Sequence, residues 1–289
     1  MTLASVCKRG MPAGGNPADV DFTQDLHYVK QAAIMGGIAG LIVLSFIGSV
    51  AGLIGGVLLL FRKQWAGQVA NFSVPLAAGV LLAVSFLHLF PEAVETTGNR
   101  AFSIILAVFV VMFLVERFFF YFHHHRQEGE THAGHAHGPA VGPFMVVGDT
   151  IHNFLDGVII ASAYLTNPTL AVVVAFSTFL HETPHEIADF GIFLSMGWTR
   201  RKTFLTNFLS ALATFPGALL TYYFAGVSGQ MTGILMALAT GMFLYIATTD
   251  FLPEAAHAPR RYLGNQAVYL LLGIVIIIGI GMLVPEVGH

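Results

Sequence analysis

The chain has 289 residues, of which 55% are hydrophobic and 10% charged, and its mean hydropathy is +0.73. A soluble domain carries about 25% charged residues, so this composition excludes one and places the chain among polytopic membrane proteins. A formal charge of -3 gives no case for a nucleic-acid partner, and the single Cys7 excludes an intrachain disulfide.

Residues 1–30 hold Lys8, Arg9, Asp19, Asp21 and Asp25 with no apolar core. They read as an N-terminal extracytoplasmic tail rather than a cleavable signal. From residue 31 to 289 the chain reads as a transmembrane domain. A spanning helix needs about 20 apolar residues, and eight runs meet that length: 32–60, 74–94, 101–122, 143–165, 169–196, 203–224, 231–252 and 267–284. Unbroken apolar runs exclude a barrel, whose strands alternate over about ten residues. The expected fold class is therefore an all-α membrane protein of eight transmembrane helices.

Basic residues set the orientation. Arg62, Lys63, Arg117, Arg126, Arg200, Arg201, Lys202, Arg260 and Arg261 flank the odd-numbered loops, whereas Lys8, Arg9, Lys30 and Arg100 lie on the other side. This bias puts both termini outside and the odd-numbered loops in the cytoplasm, with the cell (plasma or inner) membrane as the expected location. The third loop, 123–142, holds six of the 13 histidines: His123, His124, His125, His132, His135 and His137. It reads as a His-rich cytoplasmic tract that captures or releases soft divalent cations.

Two pairs of strings echo one another. LFPEA, Leu89 to Ala93, matches FLPEA, Phe251 to Ala255, and alignment of their prolines sets His88 against Asp250 and Glu92 against Glu254. HNFLDG, residues 152–157, likewise echoes HETPHE, residues 181–186. Each pair falls on runs of opposite direction, which points to an inverted repeat in a 3+2+3 arrangement. Transporters commonly place their substrate at such a repeat interface near the bilayer midplane.

The fourth run offers Asp149, His152, Asn153 and Asp156, and the fifth His181, Glu182, His185, Glu186 and Asp189. Residues four apart share a helix face, so His152 stands over Asp156, His181, His185 and Asp189 form a ladder, and Glu182 and Glu186 form a second edge. One ionised group at the bilayer centre costs about 2.5–3.5 kcal/mol on an insertion scale, and a divalent cation or a wet pathway would offset it. Imidazole and carboxylate donors suit zinc and also accept iron or manganese. The expected metal residues are His152, Asn153, Asp156, His181, Glu182, His185, Glu186 and Asp189, with His88 and Asp250 as pathway or gating groups. Pro184, Pro91, Pro216 and Pro253 each lack an N–H and should interrupt their helices.

The eight runs, the His-rich third loop, HNFLDG and HETPHEIADF together resemble the ZIP family of zinc and iron permeases, in its HExPHE-type subfamily. The resemblance implies an importer of divalent metal (zinc first, with iron, manganese or cadmium as further cargo) and often a homodimer. It implies His152, Asp156 and His185 at one metal position and Asn153 with Glu182 at a neighbouring one, while His181 stands where members vary. Phe215 stands where some relatives have an acidic residue. An intramembrane zinc metalloprotease is the alternative reading of H-E-x-x-H, but there the aspartate motif follows the histidines and here LDG precedes them. A metal-sensing receptor is the third. No enzyme activity and no resident cofactor are expected.

Overall fold

The computed structural model describes residues 37–124, 141–224, 229–257 and 263–283. The N-terminal tail and nearly all of the His-rich tract lie outside the described residues. Residues 37–40 fall in an N-terminal unit, Met1–Gly40, of which they form the opening turn of a helix. All packing described below lies within the second unit, Leu41–His289.

Eight long helices make up the described chain: α1 (Ile38–Phe61), α2 (Gln68–Thr97), α3 (Arg100–His124), α4 (Val141–Thr166), α5 (Pro168–Ser195), α6 (Arg200–Phe224), α7 (Gln230–Ala256) and α8 (Leu263–Met282). Each coincides with one of the eight apolar runs. Helices satisfy their own backbone groups, which hydrocarbon cannot do. Five of them (α1, α2, α6, α7 and α8) are long and apolar enough to cross a membrane. Of the other three, α4 and α5 carry the ionisable strings. Their 26 and 28 residues reach about 39–42 Å at 1.5 Å per residue, more than a hydrocarbon core.

By contact, α1, α4, α5 and α6 form one group of four, and α2, α3, α7 and α8 form another. The groups meet where α2 packs on α5 and α7 packs on α4. Outward faces of α3 and α8 expose Val111, Leu114, Leu271, Val275 and Met282, the composition expected of a lipid-facing surface.

The interruptions fall at matching places. In α2 a π turn spans Ser85–Leu89, closed by the Phe90 N–H donating to Ser85 O. In α7 its counterpart spans Ala247–Phe251, closed by the Leu252 N–H donating to Ala247 O. Each widened turn sits just before a proline, Pro91 or Pro253, whose ring would meet the carbonyl four residues back in a regular helix. Helix α1 changes to a 3₁₀ turn at Val50–Leu53, and α6 breaks between Ala211 and Thr214. All of these features share the 162-residue separation that also joins Ser49 to Ala211 by a hydrogen bond.

Pro184 behaves otherwise. Helix α5 runs through it unbroken, so the expected interruption there does not occur. Pro216 stands in the first turn of the second half of α6, Thr214–Phe224, where a missing N–H is free of cost.

Several helix pairs approach at glycine, and two of these contacts bear on the polar strings. A Cβ on Gly157 of α4 would lie 2.8 Å from the Ala218 nitrogen of α6, and one on Gly217 would lie 3.0 Å from the Phe154 carbonyl carbon. Gly55 of α1 meets Thr183 of α5 in the corresponding way. Backbones this close lock α6 against α4 and α1 against α5, and so fix the two helices that carry the polar strings.

Candidate metal centre

His152 is the twelfth residue of α4 and His181 the fourteenth of α5, so each stands near the middle of its helix. The helices run antiparallel and bring His152, Asp156, His181 and Glu182 together, with one donor atom of each within 4.8 Å of all the others. His152 Nε2 lies 2.9 Å from Glu182 Oε1, 3.7 Å from Asp156 Oδ2 and 3.4 Å from His181 Nε2. His181 Nε2 lies 3.5 Å from Asp156 Oδ2 and 3.6 Å from Glu182 Oε1. Four ligands at 2.0–2.1 Å around a tetrahedral zinc stand about 3.3 Å apart. The spacing found here brackets that value.

Burial sharpens the fit. Asp156 and His181 are fully buried and Glu182 is 1% exposed, while the His152 side chain keeps 14% exposure. Both oxygens of Asp156 and Oε1 of Glu182 lack a hydrogen bond of good geometry among the described residues. A buried polar atom left so costs about 1–3 kcal/mol, and more when charged. A divalent cation among these donors would relieve all three.

Second contacts orient the imidazoles. His181 Nδ1 lies 3.1 Å from Ser177 O, which leaves Nε2 for the cluster. Phe243 of α7 stands edge-on to the His181 ring at 5.3 Å, and Phe251 does the same for His185 at 5.6 Å. His185 is not among the four converging donors; its ring stacks on that of His152 at 5.2 Å.

Asn153 sits in a polar junction of three helices. Its Nδ2 donates to Asp149 O at 3.2 Å and Asp149 Oδ1 at 2.9 Å, and its Oδ1 accepts from Ser49 at 2.8 Å and Thr214 at 3.4 Å. In this arrangement its amide ties α1, α4 and α6 together. The same Ser49 hydroxyl lies 2.9 Å from Ala211 O at the break in α6, so its single proton is shared between that carbonyl and Asn153 Oδ1.

The other expected residues lie elsewhere. Glu186 is buried and half-buried Asp189 is farther along α5. His88 rests against Gly281 of α8. Asp250 is exposed in the π turn of α7 and accepts from Thr249 at 3.0 Å. In the same helix the Tyr245 hydroxyl donates to Glu116 of α3. The roles of Ser49, Thr214, Phe243 and Phe251 left no mark in the sequence, because each depends on which helix packs beside the strings.

The ZIP zinc transporter family model matches residues 37–144 and 139–281. Among curated proteins, human zinc transporter ZIP10 is 33% identical over 139 residues, covering 44% of this chain and 17% of that protein. Human zinc transporter ZIP4 is 38% identical over 145 residues, 46% of this chain and 22% of the relative. The zinc transporter foi of Drosophila melanogaster is 33% identical over 145 residues, 50% and 20% of the respective chains. The chain thus spans about a fifth of the length of these relatives. With the family model covering nearly all of the described helices, the chain belongs to the ZIP zinc transporter family.

Proposed function

We propose that the chain carries divalent metal, zinc first, across the membrane into the cytoplasm through the site between α4 and α5. The observation that carries this reading is the cluster of His152, Asp156, His181 and Glu182: three buried donors and one partly exposed, at spacings close to a tetrahedral site, halfway along two membrane-length helices. Relatives named as zinc transporters agree with it. All eight helices span, as α1–α3, α4–α5 and α6–α8, and the two triplets form an inverted repeat. The matched π turns and helix breaks at one 162-residue separation support that arrangement, as does the 29-residue separation of His152 from His181.

Arg200, Arg201 and Lys202 at the α5–α6 loop mark the cytoplasmic face. There Trp198 stacks on Phe193 at 4.6 Å beneath Lys202 Nζ, an aromatic and basic pair suited to a headgroup layer. The termini then lie outside, in the plasma or inner membrane. Two copies pair as a homodimer, which cross-linking in the membrane would test. Movement of the α1, α4, α5, α6 group against the other four helices would open the site to either side.

Zinc uptake into dye-loaded proteoliposomes tests the reading. The parent chain should fill them, and a His152→Ala, Asp156→Ala chain should not. Absence of influx, or influx unchanged in that variant, would overturn it. Competition by iron, manganese and cadmium in the same assay ranks the cargo. The protease alternative has no support in the geometry, since Glu182 sits among the donors instead of standing off as a base.

A further inference from the structure

Both histidines of the cluster stand in a row of five rings that begins and ends on α7. Phe243 meets the edge of His181 with centroids 5.3 Å apart, His181 meets His152 at 5.5 Å, His152 stacks on His185 at 5.2 Å, and His185 meets Phe251 at 5.6 Å. Edge-on and stacked pairs at these separations are the arrangements that aromatic rings favour. Phe243 is fully buried and Phe251 is 5% exposed, so packing fixes both end rings. Phe251 closes the π turn Ala247–Phe251. Eight residues after Phe243, it would stand about 80° away round a regular α-helix. A π turn holds more residues and so rotates less with each one, which draws Phe251 back toward the Phe243 face. At the 162-residue separation that matches the two π turns, α2 has Leu81 and Leu89 in place of the phenylalanines. Of these two helices, α7 alone carries the aromatic pair.

A metal bound by an imidazole nitrogen lies in the plane of the ring, so ring orientation decides where the bond points. The Nδ1 contact to Ser177 O fixes one point of the His181 ring, and the Phe243 contact fixes its tilt. For His152 the tilt is set by the stacked His185 ring, which Phe251 holds in turn. We propose that Phe243 and Phe251 are positioning residues for the metal cluster: they anchor the two ends of the five-ring row, so that α7 sets the aim of both imidazoles and with it the affinity for metal. Groups that orient a ligand imidazole are typically worth about 10–100-fold in metal affinity. The proposal rests on the transport reading for its consequence. Helix α7 belongs to the four-helix group that contributes no donor to the cluster, so movement of one group against the other would withdraw both anchors and loosen the metal for release.

Zinc affinity and the visible spectrum of bound cobalt, both measured on the full chain in detergent, test this. The cobalt band reports ligand geometry, and a His152→Ala chain supplies the blank for metal held elsewhere. Phe243→Leu and Phe251→Leu introduce the side chain that α2 has at the matching places. Each should weaken zinc binding by about 10–100-fold and alter the cobalt band. Phe193→Leu is the control, since Phe193 is buried and stacks on Trp198 at 4.6 Å. It should lower the Tm and leave zinc affinity and the cobalt band as in the parent. The proposal is overturned if either leucine variant on α7 keeps the parent affinity and band, or if Phe193→Leu changes them as much, which would make the effect a general loosening. The two ends of the row are separate tests, so one leucine variant decides the matter where the other does not fold. Failure of the transport reading would appear separately, as weakened binding in these variants with no zinc uptake by the parent chain in proteoliposomes.

Discussion

Replacing Asp156 with asparagine should stabilise the metal-free protein and weaken its response to zinc. The change is nearly isosteric, so packing against α5 is kept while the charge is removed. Both Asp156 oxygens are fully buried and lack a hydrogen bond among the described residues. Removal of this buried charge, net of its lost attraction to His181 and His152 at 3.5 and 3.7 Å, is worth about 1–3 kcal/mol. At about 2–4 °C per kcal/mol for a domain of this size, the Tm in chelator should rise by roughly 2–12 °C. With free zinc at 100 times the Kd of this site, the parent gains about 2.7 kcal/mol from it; a hundredfold weaker variant gains only about 0.4 kcal/mol at the same zinc. The zinc-induced shift should therefore shrink by about 2.3 kcal/mol, or roughly 5–9 °C. Thermal unfolding in detergent, with and without zinc, measures both numbers. A lower Tm in chelator would show that Asp156 is held by protein, and an undiminished zinc shift would show that it is not a ligand; either result refutes the reasoning.

Ser49→Ala removes the one hydroxyl donor shared by Asn153 Oδ1 and Ala211 O and should cost about 1–3 kcal/mol of stability, read by thermal unfolding, while zinc uptake persists at reduced rate. Gly157→Ala forces a methyl to 2.8 Å from the Ala218 nitrogen, and Gly55→Ala crowds Thr183 and Ile187. Each should lower stability by about 1–3 kcal/mol, with comparable size if the two contacts are equivalent. Tyr245→Phe deletes the hydroxyl that donates to Glu116; a bond to a charged group is worth about 1.5–3 kcal/mol, and a fall in Tm with zinc stoichiometry unchanged is the expected outcome.

Apolar runs long enough to span, with few charges, sufficed to locate the eight helices, because hydrocarbon leaves the backbone no alternative. Their ends came within a few residues in α3, α4, α5 and α8. The second apolar run begins at residue 74, yet the helix that carries it begins at Lys63, because polar residues such as Gln68 and Asn71 extend a helix that hydropathy cuts short. The four-residue spacing of His152 and Asp156, and the ladder of His181 and His185 beside the Glu182 edge, were likewise legible as faces bearing ionisable groups. The chain by itself determined that imidazoles and carboxylates would sit midway along two long helices, since covalent order alone put them there. Only the tertiary structure decided how they were shared out. The antiparallel pairing of α4 with α5 turned Glu182 toward the histidines and laid His185 flat on His152. Helices α1 and α6 closed over Asn153 with Ser49 and Thr214. Those choices depend on rotation and distance between helices 29 to 162 residues apart along the chain, set here by glycine contacts that no local pattern encodes.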